Sequence, residues 1–361
     1  MLSGHESVSS RPSDDLPDDL IEPGASENQN AAPETPPPPV GTTPPAELVE
    51  LAAQGKRGAA WRLLHWIGED NREAIEAIRR FPDQRLLKLL LEWLAVGTWG
   101  GKPFTVPRAM RQPHFRTQVS TFFLPGSGAP EGHVKEVLCA GLRHPQGAVR
   151  ATAAHLLGVL GDPAAAPDLV EALRDPLSAV RVQAAKALGR LHVPQTAAAL
   201  VSAFHSHDEA LASQAHQALL QPGLASVPPL IAAAHAPDAW VRWQAVRTLG
   251  DLHDARGLAP LVERLTDSDH AVAWMAARVL ASMGAPVVEE VLGLLLRAPD
   301  TPQLMETAAY VLRAQRNPQV KNVLAPVIRS MHDVDYRVVV PLEVQRALKT
   351  LAGSGVRSAS G

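Results

Sequence analysis

Large apolar residues recur every 30 to 32 positions from about residue 131 onward. Six of them begin the pattern: Val149, Val180, Leu211, Val241, Val272 and Leu304. In each case an alanine stands four residues later and a leucine eight residues later. Because positions 0, +4 and +8 lie on one side of an α-helix, the pattern predicts six amphipathic helices. The alanine in the middle of each apolar stripe predicts that a neighbouring helix approaches closely there.

A second helix is predicted in every repeat. Segments such as APDLVEAL and LAPLVERL have helical periodicity, with Pro167 and Pro260 near their starts, where a missing N–H is harmless. Gly161 and Gly284 close the preceding first helices. Helix pairs stacked in series form an α-solenoid. The sequence therefore predicts an all-α fold, a right-handed solenoid of helix pairs over residues 131–353, with a degenerate seventh copy from Val340 through Leu348.

The other parts of the chain have different patterns. Residues 1–45 hold eight acidic residues, one basic residue and many prolines, which predicts a disordered acidic tail. Residues 46–130 are predicted to form a helical N-terminal region that ends in a long loop, 97–130, without helical periodicity. Residues 354–361 are expected to be a short disordered C-terminal tail.

The repeat has a recognisable form. The segments AVRATAAHLLGVLGD and AVRVQAAKALGRL resemble the short HEAT-like repeats of the phycobilin-lyase type, and the resemblance covers roughly residues 131–353. It implies stacked helix pairs, a fold shared by interaction scaffolds and by some enzymes, so the fold alone does not assign chemistry.

Two enzyme families have repeats of this kind. Deoxyhypusine hydroxylases bind iron through His-Glu pairs on their helices, whereas the one such dipeptide here is His5-Glu6, in the predicted tail. HEAT-like DNA glycosylases place tryptophans, an acid and an arginine around an extruded base. Here Asp238 stands where a helix N-cap belongs, and Arg242 recurs after other anchors as Arg150 and Arg181. The sequence therefore predicts no enzyme and no cofactor.

Composition narrows the functional classes further. The net charge of −3 does not indicate a nucleic-acid or membrane protein, and a single cysteine, Cys139, excludes a disulfide framework. The densest histidine group, His205-Ser-His207-Asp208, lacks the three or four converging ligands that a metal needs, so no metal site is predicted. The acidic, polar first residues do not have the order of a signal peptide, and no apolar run is long enough to span a bilayer. A cytoplasmic location is expected.

Three tryptophans are the first candidate binding residues. Trp243 and Trp274 each stand two positions after an anchor, in adjacent repeats, and Trp240 is close by. That position is about 200° from the buried stripe and should face outward. Exposed neighbouring indoles would form a partner surface. The alternative is that these indoles pack internally, against an adjacent helix or the N-terminal loop.

The long loop holds the second candidates, the aromatic Trp99 and four basic residues with no acidic residue among them. The basic residues are Lys102, Arg108, Arg111 and Arg116. Basic and aromatic residues together suit single-stranded nucleic acid or an acidic protein. The alternative is a structured loop that caps the first repeat, since a solenoid needs its end covered.

The favoured function is a non-enzymatic scaffold or adaptor that binds another protein through the solenoid surface. One alternative is a nucleic-acid-associated protein that uses the basic loop. A second alternative is a phycobilin-lyase-like enzyme or a chaperone subunit.

Overall fold

The computed structural model describes residues 43–69, 71–81, 83–104, 113–124, 131–221, 225–298 and 301–353. Most of the two predicted tails, residues 1–42 and 354–361, therefore lies outside the described residues. The described chain is helical apart from one pair of two-residue strands. It divides into two units, Met1–Asp168 and Leu169–Gly361. Among the residues described, no helix is both long and apolar enough to cross a membrane.

The first unit contains the helices and strands of the N-terminal region and the start of the repeats. They are α1 (Pro45–Ala53), α2 (Arg57–Gly68), α3 (Arg72–Arg79), α4 (Gln84–Val96), β1 (Thr98–Trp99), β2 (Lys102–Pro103), α5 (Pro113–Ser120), α6 (Glu131–Gly141) and α7 (Gly147–Leu160). The strands are antiparallel, with Thr98 opposite Pro103 and Trp99 opposite Lys102. Helix α4 packs on both α6 and α7, so the N-terminal helices cover the first repeat.

The second unit contains the remaining repeats. Helix α8 (Ala166–Ala172) crosses the boundary, and it is followed by α9 (Ser178–Leu191), α10 (Ala197–Ser202), α11 (Glu209–Leu219), α12 (Val227–Ala233), α13 (Ala239–Leu252), α14 (Leu258–Glu263), α15 (His270–Met283), α16 (Val287–Arg297), α17 (Pro302–Arg313), α18 (Pro318–Ser330) and α19 (Tyr336–Gly353). The odd-numbered helices α7 to α19 are the first helices of the repeats. The even-numbered helices α8 to α18 are the second helices.

The predicted buried stripe is confirmed. All eighteen side chains at positions 0, +4 and +8 of the six repeats have no more than 1% of their surface exposed. The anchor of the seventh copy, Val340, is buried too, as is Val344. The predicted all-α solenoid of helix pairs is therefore the observed fold.

Consecutive first helices approach each other closely at glycines. A Cβ built on Gly189 would lie 2.8 Å from Cβ of Ala218, and one built on Gly250 would lie 2.5 Å from Cγ2 of Val279. Both distances are too short for real contacts, so the chain needs glycine at these points. This close approach holds α9 against α11 and α13 against α15.

The predicted loop 97–130 is wrong in part, because helix α5 and a 3-10 helix, Thr121–Phe123, lie within it. The aromatic side chains explain the order: Phe122 and Phe123 are buried, as are Phe104 and Trp99. Burial of apolar surface fixes a segment whose sequence lacks helical periodicity.

Histidine occupies an unfavourable backbone conformation at the end of α9. His192 has a φ of 52°, in the left-handed region, at the C-cap where the first repeat has Gly161 with a φ of 73°. A side chain there strains the backbone, whereas glycine adopts this conformation freely.

The His192→Gly variant is therefore expected to raise the free energy of unfolding by about 0.5–1 kcal/mol, since relief of strain outweighs the added freedom of the unfolded chain. Thermal and urea unfolding would measure the change. The control is His192→Ala, which removes the imidazole and keeps Cβ. A gain of the same size in the alanine variant would contradict the backbone explanation.

Candidate partner-binding surface

The tryptophans Trp240 and Trp243 begin a column of stacked rings along α13. Asp238 caps this helix by accepting the Trp240 N–H at 2.9 Å, as its position in the sequence predicted. The two indoles are nearly parallel, at 12°, with centroids 6.1 Å apart. The Arg247 guanidinium lies over the Trp243 ring at 5.9 Å. Residues 240, 243 and 247 share one face of the helix because their spacings are three and four.

His207 extends the column on the other side of Trp240. It stacks on that indole with a centroid distance of 6.1 Å and an angle of 21°. Its Nε2 lies 2.7 Å from a carboxylate oxygen of Asp238. Burial by itself would raise the pKa of Asp238, but hydrogen bonds from the Trp240 N–H and from His207 outweigh it, so this pKa is lowered. The capping carboxylate thus orients both the helix start and the histidine ring.

A second aromatic cluster lies on the next two first helices. Trp274 on α15 contacts Tyr310 on α17 edge to face, with centroids 5.4 Å apart and an angle of 74°. The Trp274 indole N–H donates to Nε2 of His270 at 3.0 Å. Tyr310 is 42% exposed. We call the six side chains His207, Trp240, Trp243, Arg247, Trp274 and Tyr310 the aromatic row.

The indoles of the aromatic row are neither fully exposed nor buried. Trp240, Trp243 and Trp274 are all partly exposed, and Nε1 of Trp240 is enclosed without a hydrogen-bond partner. All three stand on the first helices at positions other than 0, +4 and +8, outside the buried stripe. Their outward orientation stays a prediction from helix geometry. Their rings contact neighbouring aromatic side chains, and part of each side chain remains exposed.

Three members of the aromatic row were not predicted from the sequence as partner-binding residues: Tyr310, Arg247 and His207. A signal was present, since Arg247 and Tyr310 both stand six residues after their anchors, one helical turn beyond the +2 position. Arg278 stands at the same +6 position on α15 and is exposed. Two adjacent repeats thus carry a tryptophan at +2 and an arginine at +6.

The arginine that follows each of several anchors has a structural role. Arg242 donates from Nη1 to the carbonyl oxygens of Ala236 and Pro237, at 3.0 and 2.8 Å. Its Nε and Nη2 donate to the carboxylate of Asp267 in the next connection, at 2.8 and 2.7 Å. Arg181 likewise bonds the carbonyl oxygens of Asp175 and Pro176 and pairs with Asp208. These arginines fasten the connections between repeats.

The candidate residues of the loop have different outcomes. The prediction that Trp99 binds a partner is wrong, because its side chain is only 2% exposed. Its indole N–H donates to the Ala52 carbonyl at 3.2 Å, and its ring packs on Phe104. Lys102 is exposed on β2. Arg108 and Arg111 lie outside the described residues. Arg116 lies within helix α5. Trp99 and Lys102 belong to the first unit, and the aromatic row to the second.

Reactive groups are few in the part of the chain that the structure describes. No group of three or more His, Cys, Asp or Glu side chains is placed there to hold a metal ion. Burial, together with the nearby Asp168 carboxylate, raises the pKa of the Cys139 thiol to about 12. A thiol with such a pKa stays protonated near neutral pH and is a poor nucleophile.

The repeats match a known family. A model of HEAT repeats matches residues 136–220, 227–313 and 258–339, which together exceed half of the chain. The chain belongs to the HEAT-repeat family. The comparison with curated proteins gives no match.

Three solved structures are similar to this chain at low sequence identity. An engineered protein is 20% identical, with 85% of this chain and 88% of that chain covered and a TM-score of 0.33. Importin beta is 13% identical, with a TM-score of 0.44; the match covers 85% of this chain and 45% of importin beta. Human deoxyhypusine hydroxylase is 18% identical, with 75% and 97% covered and a TM-score of 0.27.

Proposed function

We propose that this HEAT-repeat protein is a non-enzymatic scaffold that binds another protein through the aromatic row. The observation that carries the proposal is the presence of partly exposed, mutually contacting aromatic rings on three consecutive first helices. Tryptophan, tyrosine and arginine are the residues most enriched at binding hot spots. Large aromatic side chains that remain partly exposed and cluster on successive helices are typical of partner surfaces.

The nucleic-acid alternative has less support. It needs exposed aromatic rings between the basic residues of the long loop, because nucleobases stack on such rings. Four aromatic side chains of that loop are buried: Trp99, Phe104, Phe122 and Phe123. Among the described residues, no group of three or more His, Cys, Asp or Glu side chains is placed to hold a metal ion, so a metal-dependent enzyme has no support there. A cytoplasmic location remains our expectation from the sequence.

The proposal is tested by capture of partners with variant proteins. The double variant Trp243→Ala, Trp274→Ala should lose the partner that the parent retains, since loss of one hot-spot tryptophan often costs about 2 kcal/mol or more of binding. The measurement is affinity purification from the source cells with quantitative mass spectrometry.

The matched control is Ser213→Ala, which changes the same +2 position on α11, an exposed site in the preceding repeat. Circular dichroism must first show that both variants remain folded. Proteins captured by the parent and the control but not by the double variant would support the proposal. Equal capture by all three proteins would overturn it.

A further inference from the structure

We propose that the aromatic row binds an extended, proline-rich, acidic segment of its partner, lying across the first helices of the repeats. This inference rests on the proposed function and adds the chemistry of the partner. Three features support it: the spacing between repeats, the arginine at +6 in the two repeats that have a tryptophan at +2, and the change of both residues in the sixth repeat.

The spacing of the repeats matches that of an extended peptide. Helices α13, α15 and α17 pack against one another in succession, and Trp243 and Trp274 hold the same register position on two of them. Packed helices lie about 8–10 Å apart. A polyproline II segment rises about 3.1 Å per residue and repeats every three residues, so it presents the same face about every 9 Å. Every third residue of such a segment can therefore meet successive repeats.

The charges of the row favour an acidic segment. Arg247 lies over Trp243, and Arg278 is exposed at the equivalent +6 position beside Trp274. A proline ring packs well on an open indole face, and a carboxylate on the same turn can reach the guanidinium one helical turn further along. Each of these two repeats thus offers one apolar and one cationic contact.

The sixth repeat lacks this pattern and limits where the acidic residues of the bound segment can lie. Its +2 position holds an exposed acid, Glu306, and its +6 position holds Tyr310 in place of an arginine. A carboxylate of the ligand would be repelled by Glu306, whereas a proline could still pack on the partly open Tyr310 ring. The acidic positions of the segment should therefore meet α13 and α15, and an uncharged proline should meet α17.

The test is fluorescence anisotropy of labelled peptides with the whole protein. The main probe is a peptide of four Asp-Pro-Pro triplets. Four controls separate its features: Lys-Pro-Pro triplets reverse the charge, Asp-Gly-Ser triplets remove the polyproline conformation, Asp-Pro-Pro-Pro quadruplets change the spacing, and an oligothymidylate of similar length represents single-stranded nucleic acid. The Asp-Pro-Pro peptide is expected to bind more tightly than all four.

Variants then locate the binding. Arg247→Gln together with Arg278→Gln should weaken the Asp-Pro-Pro complex about threefold to tenfold, as expected for exposed charge pairs, and should leave the Asp-Gly-Ser background unchanged. Trp243→Ala with Trp274→Ala should weaken it roughly thirtyfold or more. The control Arg316→Gln, which alters an exposed arginine in the connection between α17 and α18, should have no effect.

Each contrary result has a distinct meaning. Equal binding of the Asp-Pro-Pro, Lys-Pro-Pro and Asp-Gly-Ser peptides, or no binding of any, overturns the inference. Tighter binding of the oligothymidylate, lost in the arginine variant, would replace a peptide partner by a nucleic acid. If the peptides fail while capture of a protein still depends on Trp243 and Trp274, the proposed function stands and only the partner chemistry is wrong.

Discussion

The Ala245→Leu variant is expected to lose about 1–3 kcal/mol of its free energy of unfolding, because the added atoms have no space. Ala245 is completely buried in the middle of α13, and an alanine stands at the equivalent position in all six repeats. A larger side chain would force α13 away from the helices packed on it. Those helices include α15, whose Val279 already touches the backbone of α13 at Gly250.

Urea unfolding followed by circular dichroism would measure this loss. The matched control is Ala210→Leu, which makes the same change at an exposed position in the first turn of α11. That variant should unfold within about 0.5 kcal/mol of the parent, the usual range for surface substitutions. Parent-like stability of Ala245→Leu would show that the alanine does not mark close helix packing.

The largest effect is expected from Asp267→Asn, which should destabilise the protein by about 3–5 kcal/mol, because it leaves a buried guanidinium without its counter-charge. The side chains of Arg242 and Asp267 are only 9% and 1% exposed. Asp267 also accepts a hydrogen bond from Nη1 of Arg264 at 3.3 Å and one from the N–H of Asp269 at 2.9 Å. An asparagine keeps the shape and loses the charge.

Thermal and urea unfolding at neutral pH would measure this loss. The control is Glu343→Gln, which breaks the ion pair of Glu343 with the exposed Arg346 on α19 and should cost no more than about 1 kcal/mol. Similar losses of unfolding free energy in the two variants would show that burial does not increase the contribution of the Arg242–Asp267 pair.

The pH dependence of stability gives a second measurement on the same pair. Burial by itself would raise the pKa of Asp267, but hydrogen bonds from Arg242 and the Asp269 N–H outweigh it, so this pKa is lowered from its usual 3.8. A carboxyl group whose pKa is lower in the folded state stabilises the fold at pH values above its pKa in the unfolded state. This stabilisation is lost as the pH falls through its pKa in the folded state. The difference between parent and Asp267→Asn should therefore be constant near neutral pH and shrink below about pH 4.

The sequence by itself determined the repeat, its two helices and the residues that each first helix buries. The stripe at positions 0, +4 and +8 depends on helical periodicity alone, which is a local property, and the burial of all eighteen side chains follows it. The start of α13 could also be predicted, because Asp238 precedes the helix as an N-cap residue, which is another local feature. The expectation that Trp243 and Trp274 face outward rests on the angle between positions on one helix, and the structure leaves both side chains partly exposed.

The tertiary structure decided which side chains meet across repeats. Arg242 could be recognised as recurrent, but its partner Asp267 lies 25 residues away in the next connection. The aromatic row likewise joins side chains from separate repeats, such as Trp274 and Tyr310. Trp99 had the pattern of an exposed loop residue and is buried instead. Its indole N–H donates to the Ala52 carbonyl in α1, 47 residues away, and its ring packs on Phe104, which follows β2. Contacts of this kind depend on how helices cross and on where connections end, which the periodicity of a single helix does not specify.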